Sequence, residues 1–366
     1  MSEHIGQKEL TKEKLTAWLD VTGTEEEQLF RHSAAVKQEY VGNSVYLRGL
    51  IELSNICEKD CYYCGIRRSN CKVHRYTVSH DEVLAAVRFA YEKGFGSVAI
   101  QSGEMTSPAF ISRIDRILRE AKKITRGEIG ISLSCGEQTE ETYRRWFESG
   151  AERYLLRIET SSEALYRKLH PVDGKHNFAR RIKALEALRK TGYQTGTGVM
   201  IGLPFQRVED LADDLLFMKQ REIDMCGMGP YIAHADTPLW AFRDQLLPLG
   251  ARLRLSLRMV SLLRILMPDI NIAATTALQA IAKEAREEAI RIGANVLMPN
   301  ITPAQYRDDY LLYENKPVFT RNDEDELAYL EAQLQKINHH IGYYRKGNSP
   351  HYRKSDRVQT AEHHRQ

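Results

Sequence analysis

Three closely spaced cysteines constrain this chain more than any other feature. Cys57, Cys61 and Cys64 lie in the stretch Cys57-Glu-Lys-Asp-Cys61-Tyr-Tyr-Cys64. A cubane iron-sulfur cluster takes a cysteine sulfur at each of its four irons, so three thiolates leave one iron open. An open position is where a metal centre binds a ligand and does chemistry. The motif therefore predicts a reactive metal centre, which could chelate the amino and carboxylate groups of a bound ligand.

The same stretch also permits a zinc knuckle. Cys71 could supply a fourth thiolate to a tetrahedral site, and His74 is a spare ligand. Zinc knuckles are small and self-contained, whereas this motif follows a strand-like segment and opens a long series of strand and helix signals. The context therefore favours a cluster, with the zinc site as the alternative.

Composition narrows the classes of protein that need to be considered. A chain of 366 residues, 42% of them hydrophobic, can bury one large core. The net charge of +3 gives no long-range attraction to nucleic acid or membrane. There is no signal-peptide pattern and no run of about 18 apolar residues, which a membrane span would need. Six cysteines in so long a chain do not indicate a disulfide scaffold, so we expect a cytoplasmic protein.

Apolar segments of strand length alternate with helical segments along most of the chain. Segments that are apolar throughout are typical of parallel strands covered on both faces. Eight such units predict a complete (βα)8 TIM-type barrel, with a doubly wound open sheet as the competing architecture. We predict strands at 45–53, 97–100, 129–133, 154–158, 197–201, 225–228, 271–274 and 295–298, and helices near 108–124, 139–149, 177–191, 207–221, 250–266 and 284–292.

Signals at the two ends of the chain predict extensions of the barrel. Thr24 and Glu27 are spaced as a capping box for a helix that Gly42 ends, which predicts an N-terminal helical layer. An acidic helix start at Asp323 is followed by a basic tail that favours a frayed terminus. We therefore divide the chain into an N-terminal helical extension (1–43), the barrel (44–322) and a C-terminal helix with a basic tail (323–366).

Polar residues follow the predicted strands, where a barrel would place its active site. Gly103 would let the backbone approach a ligand, and Glu104 could accept from an ammonium group. Arg153 and Arg157 lie four residues apart on one strand face, which suits recognition of a carboxylate; an internal ion pair is the alternative reading for each. Further candidates after the strands or on the next helix are Ser102, Ser134, Glu159, Arg181, Thr275, Thr276, Met298 and Tyr310.

These motifs together resemble those of the HydE family of radical SAM maturases of FeFe-hydrogenases, near biotin synthase and methylornithine synthase. The similar stretches run from about Val45 to Tyr313 and include the cysteine motif, Gln101-Ser-Gly-Glu, Arg153-Tyr-Leu-Leu-Arg-x-Glu-Thr, Ala274-Thr-Thr-Ala and Gly293-Ala-Asn-Val-Leu-Met-Pro-Asn. The resemblance implies a complete barrel in which S-adenosylmethionine is cleaved to a 5′-deoxyadenosyl radical at a 4Fe-4S cluster. It implies a small cysteine-bound iron complex as substrate, an electron donor of the flavodoxin or ferredoxin type, and other hydrogenase maturases as partners.

The resemblance also assigns roles to individual residues. Many family members carry extra C-terminal cysteines for a second cluster, whereas this chain has none after Cys226, so we expect one cluster. A mutase or lyase acting on a free amino acid, similar to methylornithine synthase, is a second hypothesis, and a zinc- or cluster-bearing interaction protein is a third. The implied cluster ligands are Cys57, Cys61 and Cys64; the implied cofactor contacts are Tyr63, Gly103, Glu104, Ser134, Glu159 and Arg181; the implied substrate contacts are Ser102, Arg153, Arg157, Thr275, Thr276, Met298 and Tyr310.

Overall fold

Parallel strands form the centre of the molecule. The computed structural model describes residues 10–317 and 323–353. Within these residues the strands are β1 (Ser44–Ser54), β2 (Ser97–Ser102), β3 (Gly130–Ser134), β4 (Arg153–Leu155), β5 (Gln194–Thr197), β6 (Met200–Ile201), β7 (Met225–Cys226), β8 (Gly229–Pro230), β9 (Asn271–Ile272), β10 (Val296–Leu297) and β11 (His340–Ile341). Nine of them form one curled sheet, in which eight follow the order β10-β1-β2-β3-β4-β5-β7-β9 and β11 pairs with β1 outside this order.

The two end strands of this curled sheet approach each other. Ala273, just after β9, forms an isolated parallel bridge with Val296 of β10. Two backbone hydrogen bonds accompany the bridge, from Asn295 N to Ile272 O at 2.9 Å and from Ala274 N to Val296 O at 3.0 Å. The short strands β6 and β8 pair with each other in parallel, and they follow β5 and β7 directly in the chain. The predicted α/β class and parallel strand order are confirmed.

Helices cover the outside of the sheet. The α3 helix follows the sequence signals closely, because Ser79 and Glu82 form a reciprocal capping box at its start. Gly94, at a φ of 76°, lies just past its end. The helices are α1 (Lys12–Leu19), α2 (Gly23–Tyr40), α3 (His80–Glu92), α4 (Pro108–Ile124), α5 (Glu140–Glu148), α6 (Glu163–Leu169), α7 (Phe178–Thr191), α8 (Val208–Gln220), α9 (Leu249–Leu266), α10 (Thr276–Ile281), α11 (Ala285–Ile292), α12 (Ala304–Arg307), α13 (Asp323–Lys336) and α14 (Pro350–Arg353), with a 3-10 helix at Pro238–Gln245. Among the described residues, none of these helices combines the length and apolar character that crossing a membrane requires.

The N-terminal helical layer is present but begins differently from the prediction. The α2 helix starts at Gly23, and Thr22 occupies its N-cap without a side-chain hydrogen bond. The predicted capping box at Thr24 and Glu27 was therefore wrong. Tertiary packing sets this boundary, since α1 packs on α8 and α2 on α9. Glu26 at the start of α2 forms an ion pair with Arg258 of α9 at 2.9 Å.

The segment after α13 closes the amino-terminal end of the sheet. The β11 strand pairs in parallel with the start of β1. The backbone that follows accepts hydrogen bonds from side chains inside the sheet, including Asn271 Nδ2 to Gly347 O at 2.8 Å and Ser97 Oγ to Lys346 O at 2.8 Å. The frayed terminus favoured by the sequence is therefore wrong for residues 340–349. Residues 354–366 of the basic tail lie outside the described residues.

Candidate active site

A cavity of about 380 Å³ opens at the carboxyl ends of the strands. Parallel strands end on the same side of the sheet, so the residues that follow them meet around this space. Cys57, Cys61 and Cys64 line one part of its wall. The other predicted residues that line it are Tyr63, Ser102, Gly103, Glu104, Ser134, Arg157, Glu159, Arg181, Thr275, Thr276, Met298 and Tyr310.

The three cysteines are free thiols in a loop that crosses the cavity mouth. Cys57 Sγ accepts from Glu104 N at 3.3 Å and from Lys59 N at 3.4 Å. Burial raises the pKa of each thiol, that of Cys64 to about 12. Without metal the thiols therefore remain protonated, and binding a metal has to release protons.

The donor set fits an iron-sulfur cluster better than a single zinc ion. Cys71, the fourth thiolate of the alternative zinc knuckle, is exposed and does not line the cavity. Within residues 10–317 and 323–353, no three His, Cys, Asp or Glu side chains converge closely enough to hold one ion. Three thiols that border one cavity without converging on a single point suit a multi-iron group with cysteine ligands.

The loop after β2 brings a carboxylate to the cysteine loop. A side chain at Gly103 would collide with the carbonyl oxygen of Ile56, so only glycine permits this close backbone approach. Glu58 N donates to Glu104 O at 2.8 Å and fixes the two loops together. Gly136, at a φ of 74°, leaves the space that the Glu104 side chain fills. The predicted Gly103-Glu104 pair thus lies against Cys57.

Buried charges of both signs surround Glu104. Lys59 Nζ lies 3.0 Å from Glu104 Oε1, and Arg181 Nη2 lies 3.7 Å from Glu104 Oε2. Glu137 pairs with the same two cations, at 2.9 Å from Arg181 and 3.4 Å from Lys59. Burial acts to raise the pKa of Glu137, but Arg181 and Lys59 outweigh it and lower that pKa. Two carboxylates thus lie beside two cations, which suits a ligand carrying an ammonium and a carboxylate.

Arg157 and Glu159 form a second pair of charges beyond the end of β4. Arg157 donates to both carboxylate oxygens of Glu159, at 2.9 and 2.8 Å. Glu159 adopts a φ of 65°, a left-handed conformation that is strained for a residue with a side chain. The internal Arg-Glu ion pair considered for Arg157 is present, and both side chains still line the cavity.

Side chains with hydroxyls line another part of the cavity wall. Thr276 Oγ1 and Tyr313 OH lie 2.8 Å apart, and Gln101 Nε2 donates to Tyr310 OH at 3.2 Å. Thr275 Oγ1 donates to Met228 O at 3.3 Å. These hydrogen bonds order the hydroxyls around the space where a substrate would lie.

Arg153 does not belong to the cavity, so its prediction as a substrate contact was wrong. Its guanidinium is fully buried at the opposite end of the sheet and donates to Lys346 O at 2.7 Å and Ser97 Oγ at 3.2 Å. Asn348 Oδ1 accepts from the same group. Arg153 and Arg157 belong to the same extended segment, but four residues of extended chain place them about 13 Å apart along its length. Arg153 therefore anchors the C-terminal segment.

Arg48 is a cavity residue that the sequence reading missed. It lies on β1, is 5% exposed and lines the cavity. Its Nη1 contacts Met225 Sδ at 3.1 Å, whereas its Nε and Nη2 atoms have no hydrogen-bond partner among the residues that the structure describes. Burial and the nearby charge of Arg153 lower its pKa. A cationic residue inside a largely apolar strand was the available signal, because a buried cation requires a partner or a ligand.

Comparison with known proteins agrees with this geometry. Residues 51–218 match the radical SAM superfamily. The [FeFe] hydrogenase maturase subunit HydE of Thermotoga maritima is 42% identical over 86% of this chain and 87% of its own length. The 3-methylornithine synthase of Methanosarcina acetivorans is 27% identical over 79% of each chain. The crystal structure of a methylornithine synthase has the same fold, with a TM-score of 0.77, 23% identity, and coverage of 92% of this chain and 95% of that one.

Proposed function

This chain belongs to the HydE family of the radical SAM superfamily, and we propose that it is a maturase that helps to assemble the active site of FeFe-hydrogenase. It is an iron-sulfur enzyme that depends on S-adenosylmethionine. The observation that carries the proposal is that a single cavity is bordered both by the three free thiols and by the charged groups Glu104, Arg181 and Glu159.

The cysteine loop would hold one 4Fe-4S cluster through Cys57, Cys61 and Cys64. When bound, the cluster supplies the electron that cleaves the sulfonium of S-adenosylmethionine to a 5′-deoxyadenosyl radical. The protein contributes backbone N–H groups of Lys59 and Glu104, which donate to Cys57 Sγ and stabilise its thiolate form. The absence of cysteines after Cys226 supports a single cluster.

The charged groups beside the cysteines would bind the methionine part of S-adenosylmethionine. Glu104 would accept from its ammonium group, and Arg181 would donate to its carboxylate. Both side chains are less than one-tenth exposed, so these contacts would form away from bulk water, where they are stronger. The remaining proposed cofactor contacts are Tyr63, Gly103, Ser134 and Glu159.

The deeper part of the cavity would bind the substrate. Arg48 presents there its Nε and Nη2 atoms, which have no hydrogen-bond partner among the described residues, and Arg157 lines the same cavity. A small substrate with an anionic group would satisfy the buried guanidinium of Arg48. A cysteine-bound iron complex, the substrate class implied by the family, has such a carboxylate. Ser102, Thr275, Thr276, Met298 and Tyr310 complete the proposed substrate wall.

The proposal extends to the architecture and to the surroundings of the enzyme. The bridge between Ala273 and Val296 supports a complete (βα)8 barrel, in which the radical is shielded from solvent. The enzyme would receive electrons from a flavodoxin or ferredoxin and would work with the other hydrogenase maturases. Its free cysteines and oxygen-sensitive cluster favour the cytoplasm.

Anaerobic reconstitution followed by hydrogenase maturation tests the proposal. The reconstituted protein should hold about four irons, produce 5′-deoxyadenosine when reduced with S-adenosylmethionine, and restore activity to an apo FeFe-hydrogenase in an extract that lacks HydE. The Cys61→Ala variant is the matched control and should do none of these. Cleavage of S-adenosylmethionine without restored hydrogenase would contradict the maturase assignment and leave the radical chemistry standing.

Similarity to methylornithine synthases favours a second candidate, a mutase or lyase that acts on a free amino acid. Arg48 and Arg157 would then bind the amino-acid carboxylate. Turnover with deuterated amino acids and with a deuterated cysteine-bound iron complex distinguishes the two candidates. The true substrate should transfer deuterium to 5′-deoxyadenosine, and the other should not.

A further inference from the structure

A histidine outside the cavity wall contacts the aromatic residue that precedes the third cysteine. Tyr63 OH lies 3.1 Å from His170 Nε2, and the two rings meet edge to face with centroids 5.3 Å apart. His170 is only 3% exposed and follows directly after α6. Tyr63 lines the cavity next to Cys64. A side chain outside the cavity wall thus contacts the phenol on the cofactor side of the site.

The surroundings of His170 determine which of its nitrogens accepts. His170 Nδ1 lies 2.8 Å from Tyr166 O, and a carbonyl oxygen can only accept, so Nδ1 carries the proton. The Nε2 atom is then a lone-pair acceptor for the hydroxyl proton of Tyr63. Burial lowers the pKa of His170 to about 3, which keeps the ring neutral. The ring is also held in place by stacking on Tyr166, with centroids 3.9 Å apart.

The Tyr63 hydroxyl has a competing acceptor. The sulfur of Cys61, two residues earlier in the loop, is the other acceptor near this hydroxyl. A phenol that turned towards Cys61 would move its ring relative to the cavity and would donate to a proposed cluster ligand. His170 offers the fixed alternative, because its own position is set by Tyr166 on the same helix and loop.

We propose that His170 is a positioning residue that holds the Tyr63 ring in place against bound S-adenosylmethionine. The inference rests on the proposed function, since it assigns Tyr63 to the cofactor. It adds that the α6 helix and the residue after it, which supply no ligand to the cluster, set the shape of the cofactor end of the cavity. Its specific consequence is that His170 acts through the Tyr63 hydroxyl, so the two side chains should be energetically coupled.

A double-mutant cycle on cofactor binding tests the coupling. The dissociation constant of S-adenosylmethionine is measured by equilibrium dialysis on the oxidised, reconstituted holoenzyme, where no cleavage occurs. We expect His170→Phe and Tyr63→Phe each to weaken binding about tenfold, as the loss of one ordered hydrogen bond would. The double variant should bind no more weakly than either single one. His170→Gln, which keeps both an acceptor and a donor, should stay within about threefold of the wild type.

The possible outcomes separate the inference from the proposed function. If wild-type protein does not bind S-adenosylmethionine, both fall. If it binds, but His170→Phe weakens binding equally with and without the Tyr63 hydroxyl, the inference alone is wrong. The iron content and melting temperature of each variant report folding, and the pair His170→Leu and Tyr63→Phe completes a cycle if His170→Phe does not fold, since leucine also lacks an acceptor. The matched control is His80→Phe, on the outer α3 helix, which should leave binding unchanged.

Discussion

Arg157 donates to both carboxylate oxygens of Glu159, and the residue that accepts these hydrogen bonds sits in a strained backbone conformation. Arg157 also donates to Val199 O at 3.0 Å, which ties the pair to the loop after β5. A left-handed φ at a residue with a side chain costs about 1–3 kcal/mol and persists only where the surroundings enforce it. The φ of 65° at Glu159, beside the proposed cofactor, therefore indicates a conformation kept for function.

Glu159→Gln should weaken both folding and cofactor binding. The change keeps the size of the side chain and the backbone strain but leaves the guanidinium of Arg157 without a charged partner. We expect the free energy of unfolding in urea to fall by about 2 kcal/mol and the dissociation constant of S-adenosylmethionine to rise about tenfold. Glu163→Gln breaks an exposed pair with Arg167, which spans one helix turn, and should cost only about 0.3 kcal/mol. Equal losses in the two variants would argue against a special role for Glu159.

Replacing any one of the three cavity cysteines with alanine should prevent cluster assembly. Each of Cys57, Cys61 and Cys64 would supply the sole protein ligand to one iron, so iron content after reconstitution should fall sharply and 5′-deoxyadenosine should no longer form. Cys71→Ala is the matched control from the same loop, because its thiol is exposed and outside the cavity. Loss of iron in Cys71→Ala equal to that in the other three would require a different ligand set.

Arg48→Met should stabilise the free protein and impair turnover. Methionine keeps much of the length of the side chain while removing a buried charge whose Nε and Nη2 atoms have no partner. We expect the free energy of unfolding to rise by about 1–3 kcal/mol. If Arg48 binds the anionic part of the substrate, substrate-dependent formation of 5′-deoxyadenosine should fall at least about tenfold, while the dissociation constant of S-adenosylmethionine stays the same. A less stable variant with normal turnover would show that Arg48 has only a structural role.

The same substitution at Arg153 should have the opposite effect on stability. Arg153→Met would remove one of the two donors from the Lys346 carbonyl and from the Asn348 amide oxygen at the closed end of the sheet, and would leave only Ser97 and Gln194 as donors. We expect the free energy of unfolding to fall by about 3 kcal/mol, measured by urea denaturation. Binding of S-adenosylmethionine and turnover at a temperature where the variant is folded should match the wild type. A tenfold loss of cofactor affinity would restore Arg153 to the site.

The sequence predicted those parts of the site that depend on local pattern and on one rule of topology. Cysteine spacing located the loop that we propose holds the cluster, and parallel strands bring the residues after each strand to one end of the sheet. That rule correctly grouped Glu104, Arg157 and Thr276 around one cavity. The rule does not say how far from the carboxyl end of a strand a residue lies. For that reason the sequence analysis grouped Arg153 with Arg157.

Other features could not be predicted because they depend on contacts that are distant in the sequence. The fixed conformation of residues 340–349 depends on hydrogen bonds from side chains of several strands, among them Asn271 and Ser97. The α1 helix is short and is held by packing against α8, so its own sequence carries only a weak signal. The role of Lys59 depends on two carboxylates, Glu104 and Glu137, that come from other loops.

Lys37 should make the stability of the protein depend on pH in the alkaline range. This lysine joins the N-terminal layer to the C-terminal segment, since its Nζ donates to Ile290 O and lies 2.6 Å from His339 Nε2. Burial, with a smaller effect from the charge of Arg264, lowers the pKa of Lys37 to about 6. Between that value and the ordinary lysine pKa, the unfolded chain binds a proton that the folded chain does not, so stability should rise with pH.

Comparison of the wild type with Lys37→Met isolates the contribution of Lys37 to the pH dependence of stability. The free energy of unfolding of the wild type minus that of the variant should increase by about 1.4 kcal/mol per pH unit between about pH 7 and pH 10. This range lies above the titration of His339, whose pKa is lowered from its ordinary value mainly by burial, so the histidine should not contribute to the slope. Urea denaturation at four pH values gives the slope directly.

Lys12→Met, which removes a half-exposed partner of Asp213, serves as the control and should give a difference that is nearly flat over the same range. A flat difference for Lys37→Met would mean that the Lys37 ammonium remains charged in the folded protein, stabilised by its acceptors Ile290 O and His339.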